Sequence, residues 1–116
     1  MIKTKRIYET PSPSDGFRIL VDGLWPRGIR KEQMVVDLWL KEVSPSPALR
    51  KWFSHDPAKW ATFKSRYRKE LAGKSDIISE IRRLEKEKKV LTLLYSTKDE
   101  DHNNVVVLTE VLKGRR

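Results

Sequence analysis

The run Ile19-Leu20-Val21, followed at once by Asp22-Gly23, constrains this chain more than any other stretch of its 116 residues. Three consecutive apolar residues are too short for a helix and too apolar for a loop, so residues 17–21 read as a short buried strand. Asp22-Gly23 stops it with turn chemistry. Residues 22–34 then read as a loop carrying Trp25, Pro26, Arg27 and Gly28. Pro26 holds its own φ, and Gly28 can adopt angles other residues avoid. A rigid loop with an acid, an indole and a guanidinium at the end of a buried strand is where binding and catalytic sites are usually built.

A second apolar run, Val90-Leu91-Thr92-Leu93-Leu94-Tyr95, is the other strongly buried strand. Residues 2–8 read as a strand of mixed alternation, and Pro11 to Gly16 as a loop by composition. Over residues 35–41, Val36, Leu38 and Leu40 alternate with Asp37, Trp39 and Lys41, a strand with one apolar face. Ser46 can cap a helix that begins at Pro47, with Leu49, Trp52 and Phe53 on its apolar side. Asp56-Pro57 opens a further helix in the same way. There Trp60, Phe63, Tyr67 and Leu71 recur at helical spacing, which predicts a core face rather than a base-stacking platform. Gly73 is expected to end it. A third helix starts at Ser75 or Asp76 and buries Ile77, Ile78, Ile81 and Leu84. A fourth follows His102-Asn103-Asn104 and buries Val105, Leu108 and Leu112. Strands alternating with helices predict one three-layer α/β domain over residues 1–116, with a small, largely parallel sheet flanked by helices.

Charge narrows the classes of partner. Lysine and arginine total 25 against 16 acids, a formal net charge of +9. The excess is concentrated at the N-terminus and over residues 55–74, where Lys59, Lys64, Arg66, Arg68 and Lys69 share a helix with the aromatic stripe. A basic surface favours an anionic small molecule or nucleic acid as partner. These five residues are the candidate phosphate contacts. A solvated surface is the competing explanation for the same charges. The chain has no cysteine, which excludes disulfides and thiol chemistry and fits a reducing compartment. It has no apolar segment of membrane-spanning length and no signal-peptide pattern, so a cytoplasmic protein without membrane partners is expected. No histidine and acid spacing matches a metal motif, and no phosphate-cradling or dinucleotide fingerprint is present, so neither metal nor cofactor is expected.

In a parallel sheet, ligands bind beyond the carboxyl ends of the strands. If the two buried strands are parallel, the loops after Val21 and Tyr95 open on one edge. Asp22 and His102 are then the candidate acid–base groups. Trp25, Arg27, Lys98, Asn103 and, less directly, His55 are the candidate ligand contacts. Each has a competing structural role: Asp22 can cap its loop or pair with Arg27, Trp25 can pack, and either histidine can stabilise a helix start.

The segments Asp22-Gly23-Leu24-Trp25-Pro26-Arg27-Gly28, Leu49-Arg50-Lys51-Trp52-Phe53-Ser54-His55-Asp56, Phe63-Lys64-Ser65-Arg66-Tyr67 and Leu93-Leu94-Tyr95 resemble the YeaO-like branch of the domain of unknown function 488 family. So does Lys98-Asp99 with His102-Asn103. The resemblance runs through nearly the whole chain in order. It implies a compact α/β domain in the cytoplasm and no established activity. Two positions depart from the family pattern: Gly23 stands where Arg is usual, and Leu38 where Glu is usual.

Two functional readings follow. One is a small protein that binds an anionic ligand, nucleic acid included, through Arg27, Lys98 and the basic surface. The other is a small hydrolase or transferase for a phosphorylated or nucleobase-like substrate, in which Asp22 or His102 moves a proton. The sequence leaves the choice between them, and the oligomeric state, open.

Overall fold

A computed structural model describes residues 1–31 and 36–114. Four strands form a sheet of order β1-β4-β2-β3, and every neighbouring pair is parallel. The strands are β1 (Ile2–Arg6), β2 (Phe17–Leu20), β3 (Leu38–Trp39) and β4 (Leu91–Tyr95). The apolar run of β4 lies between β1 and β2, and all five of its residues are buried. The helices are α1 (Pro47–Phe53), α2 (Trp60–Ala72), α3 (Ser75–Lys88) and α4 (Asn104–Leu112). Three of them lie between β3 and β4 in the chain. The small parallel α/β domain read from the sequence is the observed architecture. The start of the third predicted strand at Val35, the last residues of the site loop and the tail Arg115-Arg116 lie outside the described residues.

The strand period decides what each face of the sheet meets. Ile19, Leu91 and Leu93 point into the main core, which receives Leu49 and Phe53 from α1, Phe63, Tyr67 and Leu71 from α2, and the apolar stripes of α3 and α4. Leu20 and Leu94 point the other way, and with Ile7 they are covered by Trp25, Ile29, Val36 and Trp39. The four helices thus pack on one face, and the loop after β2 supplies the layer on the other. Three of the four stripe residues of α2 are core, as their spacing predicts: Phe63, Tyr67 and Leu71 are 2%, 0% and 2% exposed. Trp60, at the first position of the helix, is only partly buried against that core.

β3 is shorter than its alternation suggests. Leu38 and Leu40 face the helical core as expected, but Val36 joins Trp39 on the other side. Pairing runs from Asp37 N–H on the Arg18 carbonyl to Leu40 N–H on the Leu20 carbonyl. The chain then tightens into a 3-10 turn at Lys41–Val43, which ends the ladder. Ser46 caps α1 as the sequence predicts, accepting from Leu49 N–H. Asp56 accepts from Ala58 N–H, but it caps a 3-10 turn at Pro57–Lys59 that precedes α2, and α2 itself starts at Trp60 without a side-chain cap. Asn103, a candidate ligand contact in the sequence, accepts from Val105 and Val106 N–H and so caps α4. Gly16 sits at φ 65° between the first loop and β2, and a Cβ there would lie 2.4 Å from the Val90 carbonyl oxygen. Only glycine permits that approach.

Candidate functional site

Register places the site. Leu20 pairs with Leu94, and Arg6 pairs with Tyr95. Continuing each strand past its last pair brings Asp22 beside Ser96 and Tyr8 beside Thr97. Three strand ends therefore open together on the carboxyl edge. Between them lies a cavity of about 420 Å³. Its floor includes Asp22, Ser96 and the first residues of α4, Asn103 and Asn104. One wall is the loop Gly23 to Arg27, closed by Tyr8, whose hydroxyl donates to the Arg27 carbonyl at 2.9 Å. The opposite wall is Arg50 and Phe53 of α1, His55, Phe63 of α2 and His102.

Asp22 is half-buried at the strand end. Its Oδ2 accepts from both the backbone N–H and the hydroxyl of Ser96, each at 2.9 Å. Burial raises the pKa of its carboxyl; the Ser96 hydrogen bonds, Asn104 and the nearby Arg50 charge oppose that rise without cancelling it. The competing Asp22–Arg27 ion pair does not form.

The two histidines enter the cavity by different routes. His102 is held by Asp99, whose Oδ2 lies 3.0 Å from His102 Nδ1, and its ring meets Trp60 edge-on at 5.3 Å. Burial would raise the Asp99 pKa, but hydrogen bonds from Asp101 and His102 outweigh it and hold the carboxyl below its usual value. His55 is exposed and sits at φ 56°, directly after Ser54 at φ 48°. Two consecutive left-handed residues without a glycine are uncommon and strained. They turn the chain sharply out of α1, so that His55 reaches the cavity while Phe53 stacks on Phe63 at 4.3 Å.

The other sequence candidates divide. Trp25 lines the cavity, but much of its ring is spent on packing: it meets Trp39 edge-on at 5.3 Å, and Lys31 lies over both indoles. Arg27 lines the cavity with an exposed side chain. Asn103 lines it too, although its side chain caps α4 and donates to the Asp99 carbonyl at 2.8 Å. Lys98 is exposed and is not part of the lining.

Most cations of the basic helix are engaged within the protein. Lys59 donates to the Trp52 carbonyl, Arg66 lies 4.4 Å over the Trp52 ring, and Lys64 and Arg68 share Glu110. Lys69 is exposed.

Sequence reasoning missed Arg50. It lines the cavity, its buried Nε has no partner, and no described residue accepts a hydrogen bond from its guanidinium. Its position three residues before Phe53 puts it on the buried edge of α1, a signal that was available. Gly23 explains how it fits. A Cβ at position 23 would lie 2.9 Å from Ser44 Oγ and 3.1 Å from Arg50 Cζ, so the guanidinium occupies the space next to a bare backbone. Leu38, the other departure from the family pattern, pairs with Ile19 and packs on the helical core, away from the cavity lining.

The family model described as "Inactive DUF488-N3 subclade" matches residues 1–115. The chain belongs to that family. It is 44% identical over 113 residues to the uncharacterized protein YeaO of Escherichia coli (strain K12), covering 97% of both chains. It is 40% identical over 114 residues to the uncharacterized protein Rv3073c of Mycobacterium tuberculosis (strain ATCC 25618 / H37Rv), covering 98% of this chain and 95% of that one. No solved structure matches it. Among the described residues of this family member, no helix is long and apolar enough to cross a membrane.

Proposed function

We propose that this protein binds a small molecule through an anionic group, in the cavity at the carboxyl edge of the sheet. The observation that carries the reading is Arg50: a guanidinium that lines a cavity and has no acceptor among the described residues. An arginine fork matches carboxylate and phosphate geometry, and leaving it unmatched in a part-buried place is costly. Arg27 adds a second cation at the mouth. The family description as an inactive subclade supports binding over turnover. The cavity suits one small ligand better than a polymer. The cations of α2, which would serve nucleic acid, are mostly committed to Trp52 and Glu110. The test is calorimetric titration and thermal shift with inorganic phosphate, benzoate and adenosine monophosphate. Arg50→Gln should weaken binding roughly tenfold to a hundredfold, the scale of a charge-assisted hydrogen bond. Lys51→Gln, exposed on the same helix, should leave it unchanged. Absence of binding by every anion, or indifference to Arg50→Gln, refutes the reading.

One observation favours a second reading. Asp99 holds His102 by Nδ1, which leaves Nε2 as the free nitrogen of an imidazole that lines the same cavity as Asp22. A carboxylate-oriented imidazole is the usual form of a general base. In this reading Asp22 and His102 act as acid and base in a small hydrolase or transferase for a phosphorylated or nucleobase-like substrate. Turnover of a phosphate ester that disappears in Asp22→Asn with the fold intact would establish it.

A further inference from the structure

Asp22 and Arg50 bring opposite charges to one cavity without meeting. No ion pair joins them, and Arg50 donates to no described residue, yet its charge is near enough to act on the Asp22 carboxyl. They approach from different elements, Asp22 from the end of β2 and Arg50 from α1. Asp22 is steadied by Ser96 through one oxygen, and the Asn104 side chain also acts on its carboxyl. A carboxylate offers roughly four lone-pair sites, so acceptor capacity remains. The space they share is walled by the rings of Tyr8, Trp25, Phe53 and Phe63.

This arrangement discriminates between ligand charges. A ligand with only an anion is attracted by Arg50 and repelled by Asp22. A ligand with only a cation meets the reverse. Both groups are satisfied at once by a molecule that carries the two complementary charges a few atoms apart, and the rings offer its remainder an apolar surface. They also favour a cation, because aromatic faces attract positive charge.

We infer that the ligand is a small zwitterion of the amino-acid type, with its carboxylate on Arg50, its ammonium on Asp22 and an aromatic or other apolar side chain against the rings of the wall. The inference rests on the anion-site reading above and adds to it a second, oppositely charged contact.

Calorimetric titration of the full chain at neutral pH with three probes separates the two. L-phenylalanine carries both charges, 3-phenylpropanoate lacks the ammonium, and phenethylamine lacks the carboxylate. Phenylalanine should bind roughly tenfold or more tightly than either analogue, the difference one charge-assisted contact makes. Asp22→Asn should remove its advantage over phenylpropanoate, and Arg50→Gln its advantage over phenethylamine. Circular dichroism and thermal melts check that each variant folds; should one fail, the three probes on the unaltered chain decide the matter alone. Equal affinity for phenylalanine and phenylpropanoate overturns the zwitterion and leaves the anion site standing. Binding of phosphate or benzoate but of none of the three probes has the same meaning. Failure of every anion and every probe overturns both.

Discussion

Asp15 accepts hydrogen bonds from Lys5 Nζ at 3.1 Å and from Ser12 N–H at 3.0 Å, with the Arg18 guanidinium paired beside it. Its own carbonyl takes the Thr92 hydroxyl at 2.6 Å. Burial would raise the Asp15 pKa, but the Ser12 amide and the two cations outweigh it and hold the carboxyl below its usual value. A carboxyl with a depressed native pKa stabilises the fold at pH above its unfolded value, near 3.9, and that contribution is lost as pH falls through the native value. Urea melts between pH 7 and pH 2 should therefore show stability falling below about pH 4. In Asp15→Asn this acid-dependent part should be absent and stability at pH 7 lower by about 3–5 kcal/mol, the usual cost of breaking a buried pair. Gly16, its neighbour, fails for a different reason when changed. The 2.4 Å approach to the Val90 carbonyl and φ of 65° should make Gly16→Ala unstable, by about 2–3 kcal/mol in the same melts. Gly23→Ala should act on the site instead. Its Cβ would press on Arg50, so the affinity for phosphate or benzoate should fall more than the melting temperature does.

At the scale of elements, α2 holds the helical layer together. Phe63 stacks on Phe53 of α1, and Tyr67 donates its hydroxyl to the Val43 carbonyl at 2.6 Å, tying the helix to the segment after β3. Phe63→Ala should cost about 3–5 kcal/mol in denaturant melts, and a loss under about 1 kcal/mol would mean that the face is not packed. The same substitution opens the cavity wall, so ligand affinity should fall as well. Asn103→Ala tests the start of α4. Its side chain satisfies two backbone N–H groups and donates to the Asp99 carbonyl, so its loss should cost about 1–2 kcal/mol of stability.

For the whole molecule, the charge of +9 and the internal use of the α2 cations pull in opposite directions. Any nucleic-acid binding should be weak, equal for unrelated duplexes and single strands, and lost as salt rises. Each phosphate contact adds about 0.9 to the salt slope on duplex DNA. Lys64 and Arg68 share Glu110, so replacing both by Ala should change that slope by less than two contacts would. A fluorescence titration across a salt series checks this, and strong preference for one sequence would contradict it.

The buried runs around Leu20 and Leu93, the period of the α2 stripe and the cap at Ser46 determined the main strands and helices and the edge of the sheet on which the loops of Asp22 and His102 open. Those features are local: period and cap chemistry act within a few residues. The order of the strands is not local. That β4 enters between β1 and β2 depends on which apolar surfaces cover one another, and this alone set Asp22 against Ser96. Ser54 and His55 adopt consecutive left-handed angles; histidine tolerates that region better than most residues, but a pair of them is not legible in the sequence, and the stacking of Phe53 on Phe63 is tertiary. Arg50 looked like one more surface cation in a lysine-rich and arginine-rich chain. Only the approach of α1 to the bare backbone of Gly23 turned it into a cation that lines the cavity, because whether a charge faces water or a cavity is decided by what packs beside it.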